Sequence, residues 1–255
     1  ITLCDDITVT LTPGRASRAE SNLRFVPCDE RNLAVRAANV FFAETGIGNM
    51  GAHIKMQKRI PVGAGMAGGS SDAAAVLRAL NKLCGAGLDR ARLEQLAAHI
   101  GSDVAFCVCG GTQLASGRGE LLSPLPSMPE CGVVVCKPDF SVSTPELFKR
   151  LDAVKLRCHP DTQGIIELLR EGDLPKIARR MYNVFEDVPD RRHNEIAAIK
   201  SRMLDCGALG AVMTGTGSAV FGLYDDEKAV ERSVRALRRE WRCVAPAKIM
   251  PRIDV

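Results

Sequence analysis

The chain has 255 residues, 46% of them hydrophobic and 25% charged, which is ordinary globular material for one large domain or, more comfortably, two smaller ones. Its formal net charge is +4 and aromatics are only 4%, with lysines and arginines scattered, so the balance suits an anionic small molecule and argues against a nucleic-acid partner. No apolar run reaches the length of a membrane span and no signal-peptide pattern is present, so a cytoplasmic protein without a membrane partner is expected.

The first element is a strand carrying Ile7, Val9 and Leu11, ended by Pro13 and Gly14. The chain reaches it directly from Ile1, which is not an initiator methionine, and further residues upstream in the gene product are expected. Asn32 to Thr45 then carries Leu33, Val35, Ala37, Ala38, Phe41 and Phe42 at helical spacing. Ala52, Ile54 and Met56 alternate with His53, Lys55 and Gln57, the period-2 pattern of a half-buried strand.

That strand runs into P-V-G-A-G-M-A-G-G-S-S-D-A-A-A, Pro61 to Ala75, and then into a helix on Ala73, Ala74, Val76, Leu77, Leu80 and Leu83 that stops at Gly85 and Gly87. Gly63, Gly65, Gly68 and Gly69 leave room for close approach of a ligand, and Ser70 or Ser71 can cap the helix, whose unpaired N–H groups favour phosphate. A tight connection whose glycines serve only its own geometry is the plainer alternative. The Walker A ending Gly-Lys-Ser/Thr is missing, and the glycine spacing is not that of the dinucleotide fingerprint.

Asp89 can cap a helix through Leu93, Leu96 and Ala97, closing near Ile100 and Gly101. Val104, Phe106 and Val108 suggest a strand, which would put Asp103 at its entrance; a lone Asp between Ser and Val is otherwise a helix or turn cap. From Ser116 the composition changes. Prolines at 124, 126 and 129 precede a buried strand on Val133, Val134 and Val135, and helices are expected at Pro145 to Leu151, Thr162 to Leu169, Leu174 to Met181, Asn194 to Asp205 and Asp226 to Arg239. Between the last two, Thr214-Gly215-Thr216-Gly217-Ser218 makes a second small-residue turn between strands, either a plain hairpin or a second wall for phosphate. Of the ten cysteines, Cys107, Cys109, Cys131, Cys136 and Cys206 lie in apolar stretches without C-x-x-C spacing, which reads as reduced, largely buried thiols.

Pro61 to Ala75 resembles the central motif of the GHMP kinases, and Thr214-Gly215-Thr216-Gly217 resembles their C-terminal glycine motif, in the same order and at a similar separation. Within that superfamily Arg31-Asn32-Leu33 with Arg36-Ala37-Ala38, Lys58-Arg59-Ile60-Pro61, Gly68 to Ala74 and Gly101-Ser102-Asp103-Val104 are similar to the members that phosphorylate the 2-hydroxyl of 4-diphosphocytidyl-2-C-methyl-D-erythritol in non-mevalonate isoprenoid synthesis. The resemblance covers nearly the whole chain. Alternatives are a GHMP kinase for another small alcohol or a noncatalytic binding protein.

The resemblance implies an α+β, two-domain fold with ATP and substrate between the domains. Residues 1–115 with a returning strand in 244–255 would form a ribosomal-protein-S5-like N-terminal domain, and residues 116–243 a ferredoxin-like C-terminal domain. It implies Asp103 as the catalytic base or proton acceptor. Pro61, Gly63, Gly65, Gly68, Gly69, Ser70, Ser71, Gly215 and Gly217 would hold ATP, with Mg²⁺ oriented through Ser70 or Ser71, directly or through water. Asn32 and Lys58 would approach adenine, although by sequence alone Asn32 is a helix cap and Lys58 a solvated strand-end charge. Thr144, Pro145, Phe148 and Thr214 would meet the substrate, with core packing the alternative for Phe148; Asp72 is divided between water-mediated metal binding and helix-end electrostatics. The family's first motif, a Pro-Ala-Lys strand with an Asp-Gly-Tyr-His loop, is not in the sequence, so the chain as written is expected to be inactive. A homodimer is compatible with the sequence but not specified by it.

Overall fold

The computed structural model describes residues 1–14, 16–156 and 158–250. The described chain divides into two compact units, one of residues 4–60 and 67–125 and the other of residues 1–3, 61–66 and 126–250.

In the first unit, β1 (Asp6–Pro13) pairs antiparallel with β3 (Met50–Gln57), and β2 (Arg18–Ser21) pairs parallel with β3 on its other side. The β1 register runs from Asp6 opposite Gln57 to Pro13 opposite Met50, so β1 and β2 are the two edges of the sheet. The alternation read from the sequence is real: Ala52, Ile54 and Met56 are buried, while Lys55 and Gln57 are exposed.

Helices α1 (Leu33–Thr45), α2 (Gly68–Leu83), α3 (Arg90–Ala98) and α4 (Ser102–Cys109) complete this unit. Their inward stripes, among them Phe41, Leu77, Leu80, Leu93, Leu96 and Val104, form one core with Ile54. Asn32 and Asp89 accept hydrogen bonds from Ala34 N and Arg92 N and so cap α1 and α3.

The strand expected at Val104 to Val108 is instead α4. Val104 and Val108 fit a period of two, but they also stand four apart, and a short apolar run cannot separate the two periods. The helix wins because Val104, Ala105, Val108 and Cys109 make one buried stripe, whereas a strand would have buried Phe106, which is 37% exposed. Gly110, at φ 63°, ends it. The short hairpin β4 (Gln113–Ser116) with β5 (Leu121–Pro124) follows.

The second unit is built on an antiparallel sheet of order β7-β8-β6-β9, with β6 Gly132–Lys137, β7 Gly210–Met213, β8 Val220–Tyr224 and β9 Cys243–Lys248. Val134 and Cys136 of β6 pack on Ile196, Ile199 and Met203 of α8 (His193–Asp205) and on Leu237 of α9 (Glu227–Leu237). Val133 and Val135 face the opposite core with Leu174 and Ala178 of α7 (Leu174–Arg180). Burial on both faces is why this strand reads as a continuous valine run. α5 (Thr144–Asp152) and α6 (Thr162–Glu171) complete the expected helices of this unit.

The returning strand assigned from the sequence to the first domain belongs here. Cys243–Lys248 pairs along its whole length with β6, Lys137 opposite Cys243 and Gly132 opposite Lys248. Its hydrogen-bonding partner, which no residue pattern specifies, decides its sheet. The part of that expectation falling on residues 251–255 lies outside the described residues.

Candidate active site

In the first unit the helix that follows the glycine loop begins at Gly68. Its N-cap is Ala67, in the left-handed conformation at φ 52°, and no side chain caps the helix. The expected caps Ser70 and Ser71 lie inside the helix, because the backbone has already turned at Ala67. Ser71 N donates to Ala67 O at 2.8 Å, while the N–H groups of Gly68, Gly69 and Ser70 find no acceptor among the described residues. An uncapped helix end of this kind, three donors wide and positive by its dipole, is built to receive an anion.

Beneath that end lies an ion cluster. Lys58 Nζ donates to Asp72 Oδ2 at 2.6 Å and forms a second, shorter pair with Asp5. The three side chains are 4%, 5% and 2% exposed respectively. Asp5 Oδ1 also accepts the backbone N–H of Ile60 at 2.8 Å and that of Arg59. Lys58 is thus no solvated strand-end charge: its ammonium is spent on two carboxylates.

One ammonium cannot neutralise both. Burial pushes Asp72 up to about 6 against the pull of Lys58, and the charge of Asp5 adds to the push. Burial would raise Asp5 as well, but the hydrogen bonds from Lys58 and from the Arg59 and Ile60 N–H groups outweigh it and hold Asp5 below its ordinary value.

Asn32 is similarly occupied. Its Oδ1 caps α1, the role read from the sequence, and its Nδ2 donates to Pro27 O at 2.7 Å and to Met56 Sδ at 3.8 Å, so both of its side-chain polar atoms are engaged. Asp103 sits in the exposed first turn of α4 behind Gly101, another helix end without a side-chain cap, where the dipole favours a carboxylate. α4 packs on α2, with Arg78 donating to Cys107 O at 3.0 Å. The Cys107 thiol is pushed up to about 11 by burial, with the charges of Asp103 and Asp72 adding to the push against that of Arg78.

In the second unit, Pro61–Met66 lies against the turn between β7 and β8. Thr214 Oγ1 donates to Gly65 O at 3.0 Å and Ala219 N to Ala64 O at 3.1 Å. A Cβ on Gly65 would stand 2.3 Å from Thr214 O, so only glycine permits this approach. Gly215 and Gly217 have φ of 52° and 84°. Thr216 Oγ1 and Thr144 Oγ1 are 3.0 Å apart, bringing the start of α5 to the turn, with Pro145 at its first positions. Phe148 is 49% exposed and meets Phe185 edge-on at 5.0 Å, so it is not a core residue.

Sequence reading missed the struts of this turn. Asn183 Nδ2 donates to Met213 O at 2.7 Å and to Gly215 O at 2.8 Å, and Glu186 Oε1 accepts from Met213 N at 2.8 Å. Asn183 and Asp5 are, respectively, 30 residues or more from what they hold, and no local pattern marks either.

The comparisons agree with this geometry. The GHMP kinases N terminal domain profile matches residues 32–111 and the GHMP kinases C terminal profile residues 165–243, so the class is a GHMP kinase with an α+β fold of two domains. A 4-diphosphocytidyl-2-C-methyl-D-erythritol kinase of Bacillus velezensis is 44% identical over 238 residues, covering 93% of this chain and 82% of that protein. One of Geobacillus thermodenitrificans is 45% identical over 239 residues, with the same coverage. A crystal structure of a 4-(cytidine 5'-diphospho)-2C-methyl-D-erythritol kinase is 32% identical and superposes with a TM-score of 0.76 over 96% of this chain and 86% of that one. The chain belongs to the 4-diphosphocytidyl-2-C-methyl-D-erythritol kinase family.

Proposed function

We propose that the protein transfers the γ-phosphoryl group of ATP to the 2-hydroxyl of 4-diphosphocytidyl-2-C-methyl-D-erythritol. The observation that carries the phosphate half of this reading is the uncapped first turn of α2, with three free N–H donors behind a proline-led glycine loop. The identity of the acceptor rests on the relatives, 44–45% identical.

ATP supplies the phosphoryl group when bound, and the Gly68, Gly69 and Ser70 N–H groups hold its phosphates. Gly63, Gly65, Gly215 and Gly217 let backbone approach closely, and Pro61 sets the entry of the loop. No group of three His, Cys, Asp or Glu suited to a metal occurs among the described residues, so the donor set fits a Mg²⁺ carried mainly by ATP, with Ser70 and Ser71 as hydroxyl partners. In this reading Asn32 and Lys58 border adenine by van der Waals contact, because their side chains and their backbone N–H and C=O groups are already hydrogen-bonded within the unit.

Asp103 is the catalytic residue in this reading. A tertiary alcohol is a poor acid, so a carboxylate does best by orienting the hydroxyl and accepting its proton as the new P–O bond forms. Thr144, Pro145, Phe148 and Thr214 serve the cytidine-bearing substrate, with Phe148 offering an exposed ring for the base. The first unit corresponds to an S5-like domain and the sheet β7-β8-β6-β9 to a ferredoxin-like one. No helix among the described residues is long and apolar enough to cross a membrane, and a cytoplasmic kinase, as a monomer or homodimer, is the setting we infer. A coupled ATPase assay offering the cytidine substrate beside homoserine and mevalonate tests the reading: turnover only with the cytidine substrate supports it, and preference for either small alcohol overturns it.

A further inference from the structure

We propose that Asp5, Lys58 and Asp72 form a positioning clamp that fixes the phosphate-binding turn of α2 against the end of β3, so that the Lys58 ammonium serves the nucleotide without touching it. The proposal rests on the reading that phosphates dock at α2.

The chain leaves β3 at Gln57, runs through the glycine loop and re-enters regular structure at Gly68. The cluster joins the two ends of that loop directly. Asp5 holds the Arg59 and Ile60 N–H groups at the loop entrance and pairs with Lys58; Lys58 pairs with Asp72, the fifth residue of α2. The fit is close: a Cβ on Gly68 would stand 3.0 Å from Ile60 Cγ2 and 3.6 Å from Lys58 Nζ. Three separated segments are therefore tied through one buried ammonium, 4% exposed.

A buried pair of this kind is weak evidence of stability, because desolvation of the ions offsets most of their attraction; its better-attested use is to specify one geometry. Here the geometry specified is the direction of three free N–H groups. An error of about 1 Å in such donors is enough to lose much of their value to a bound anion.

The test uses Asp72→Ala, Asp72→Asn and Gly69→Asp. Asp72→Ala cuts the tie to α2 while leaving Lys58 paired with Asp5, so the fold survives; the Asn variant keeps an acceptor for Nζ. Expected are a rise of about tenfold or more in the KM and calorimetric Kd for ATP in Asp72→Ala, kcat at saturating ATP within about threefold, and rescue of both ATP constants by Asn. A merely structural role would lower the melting temperature of Asp72→Ala with unchanged ATP constants, and that result overturns the clamp. Gly69→Asp puts a carboxylate on the exposed first turn and tests the underlying reading. If it abolishes ATP binding while Asp72→Ala binds normally, the clamp alone falls; if it too binds ATP normally, the phosphate site on α2 falls with it.

Discussion

Replacing Gly65 with alanine isolates the contact between the glycine loop and the β7–β8 turn. Gly65 has φ +72°, a conformation that costs an L-residue about 1–2 kcal/mol. Its Cβ would also stand 2.3 Å from Thr214 O and 2.9 Å from Gly217 N, both backbone atoms that cannot rotate away. Overpacking of this kind costs about 1–3 kcal/mol, so the total is about 2–5 kcal/mol. Gly172 is the control: it lies in the same unit at φ +71°, with nothing within 4 Å of its Cβ. The conformational cost cancels between the two variants, and the collision alone remains. The single tryptophan, Trp241, is buried in that unit's core and reports its unfolding in urea. Gly65→Ala is expected to be less stable than Gly172→Ala by about 1–3 kcal/mol. Equal stability of the two variants would refute the argument that close backbone approach, and not backbone freedom alone, requires glycine at 65.

Two further outcomes follow from the side chains around the site. Burial raises Asp72 from its ordinary 3.8 to about 6, so the folded protein holds a proton there that the unfolded chain lacks between those values. Its contribution to stability is present in full below about pH 4 and lost as pH rises through 6, a swing on the order of 3 kcal/mol; Asp5, lowered, acts oppositely and only below its ordinary value of 3.8. Urea unfolding from pH 7.5 to 4.5 should show this rise on acidification in the wild type and lose most of it in Asp72→Asn; identical slopes would contradict the assignment. Phe148→Ala, at an exposed ring, should leave stability within about 1 kcal/mol while weakening discrimination for the cytidine-bearing substrate, read as the KM ratio against a substrate lacking the base; loss of stability without loss of selectivity would return Phe148 to a packing role.

Much of this fold was legible because its signals are local. The alternation of Ala52, Ile54 and Met56, the stripe Ala73 to Leu83, and the Asp89 cap each act within a few residues, and each appears where the pattern puts it. What was not legible depends on distant partners. Val104 and Val108 satisfy two periods at once, and only the core beneath α4 selects the helix. The strand Cys243–Lys248 owes its place to pairing with β6, more than 100 residues earlier. Lys58 reads as a surface charge until Asp5, 53 residues away, and Asp72 close over it. The glycine loop before α2 could be named from sequence, whereas the cap at Ala67 and the struts from Asn183 could not, since neither residue type announces that use.

The central claim is that this chain phosphorylates 4-diphosphocytidyl-2-C-methyl-D-erythritol with Asp103 accepting the proton. The direct measurement is steady-state turnover of that substrate by the wild type and Asp103→Asn, with calorimetric ATP binding alongside. The account predicts turnover by the wild type, against the inactivity expected from the missing first motif, a loss of about 100-fold or more in kcat for Asp103→Asn, and ATP binding within about threefold. Near-normal turnover by Asp103→Asn, or none by the wild type while ATP binds, would contradict it.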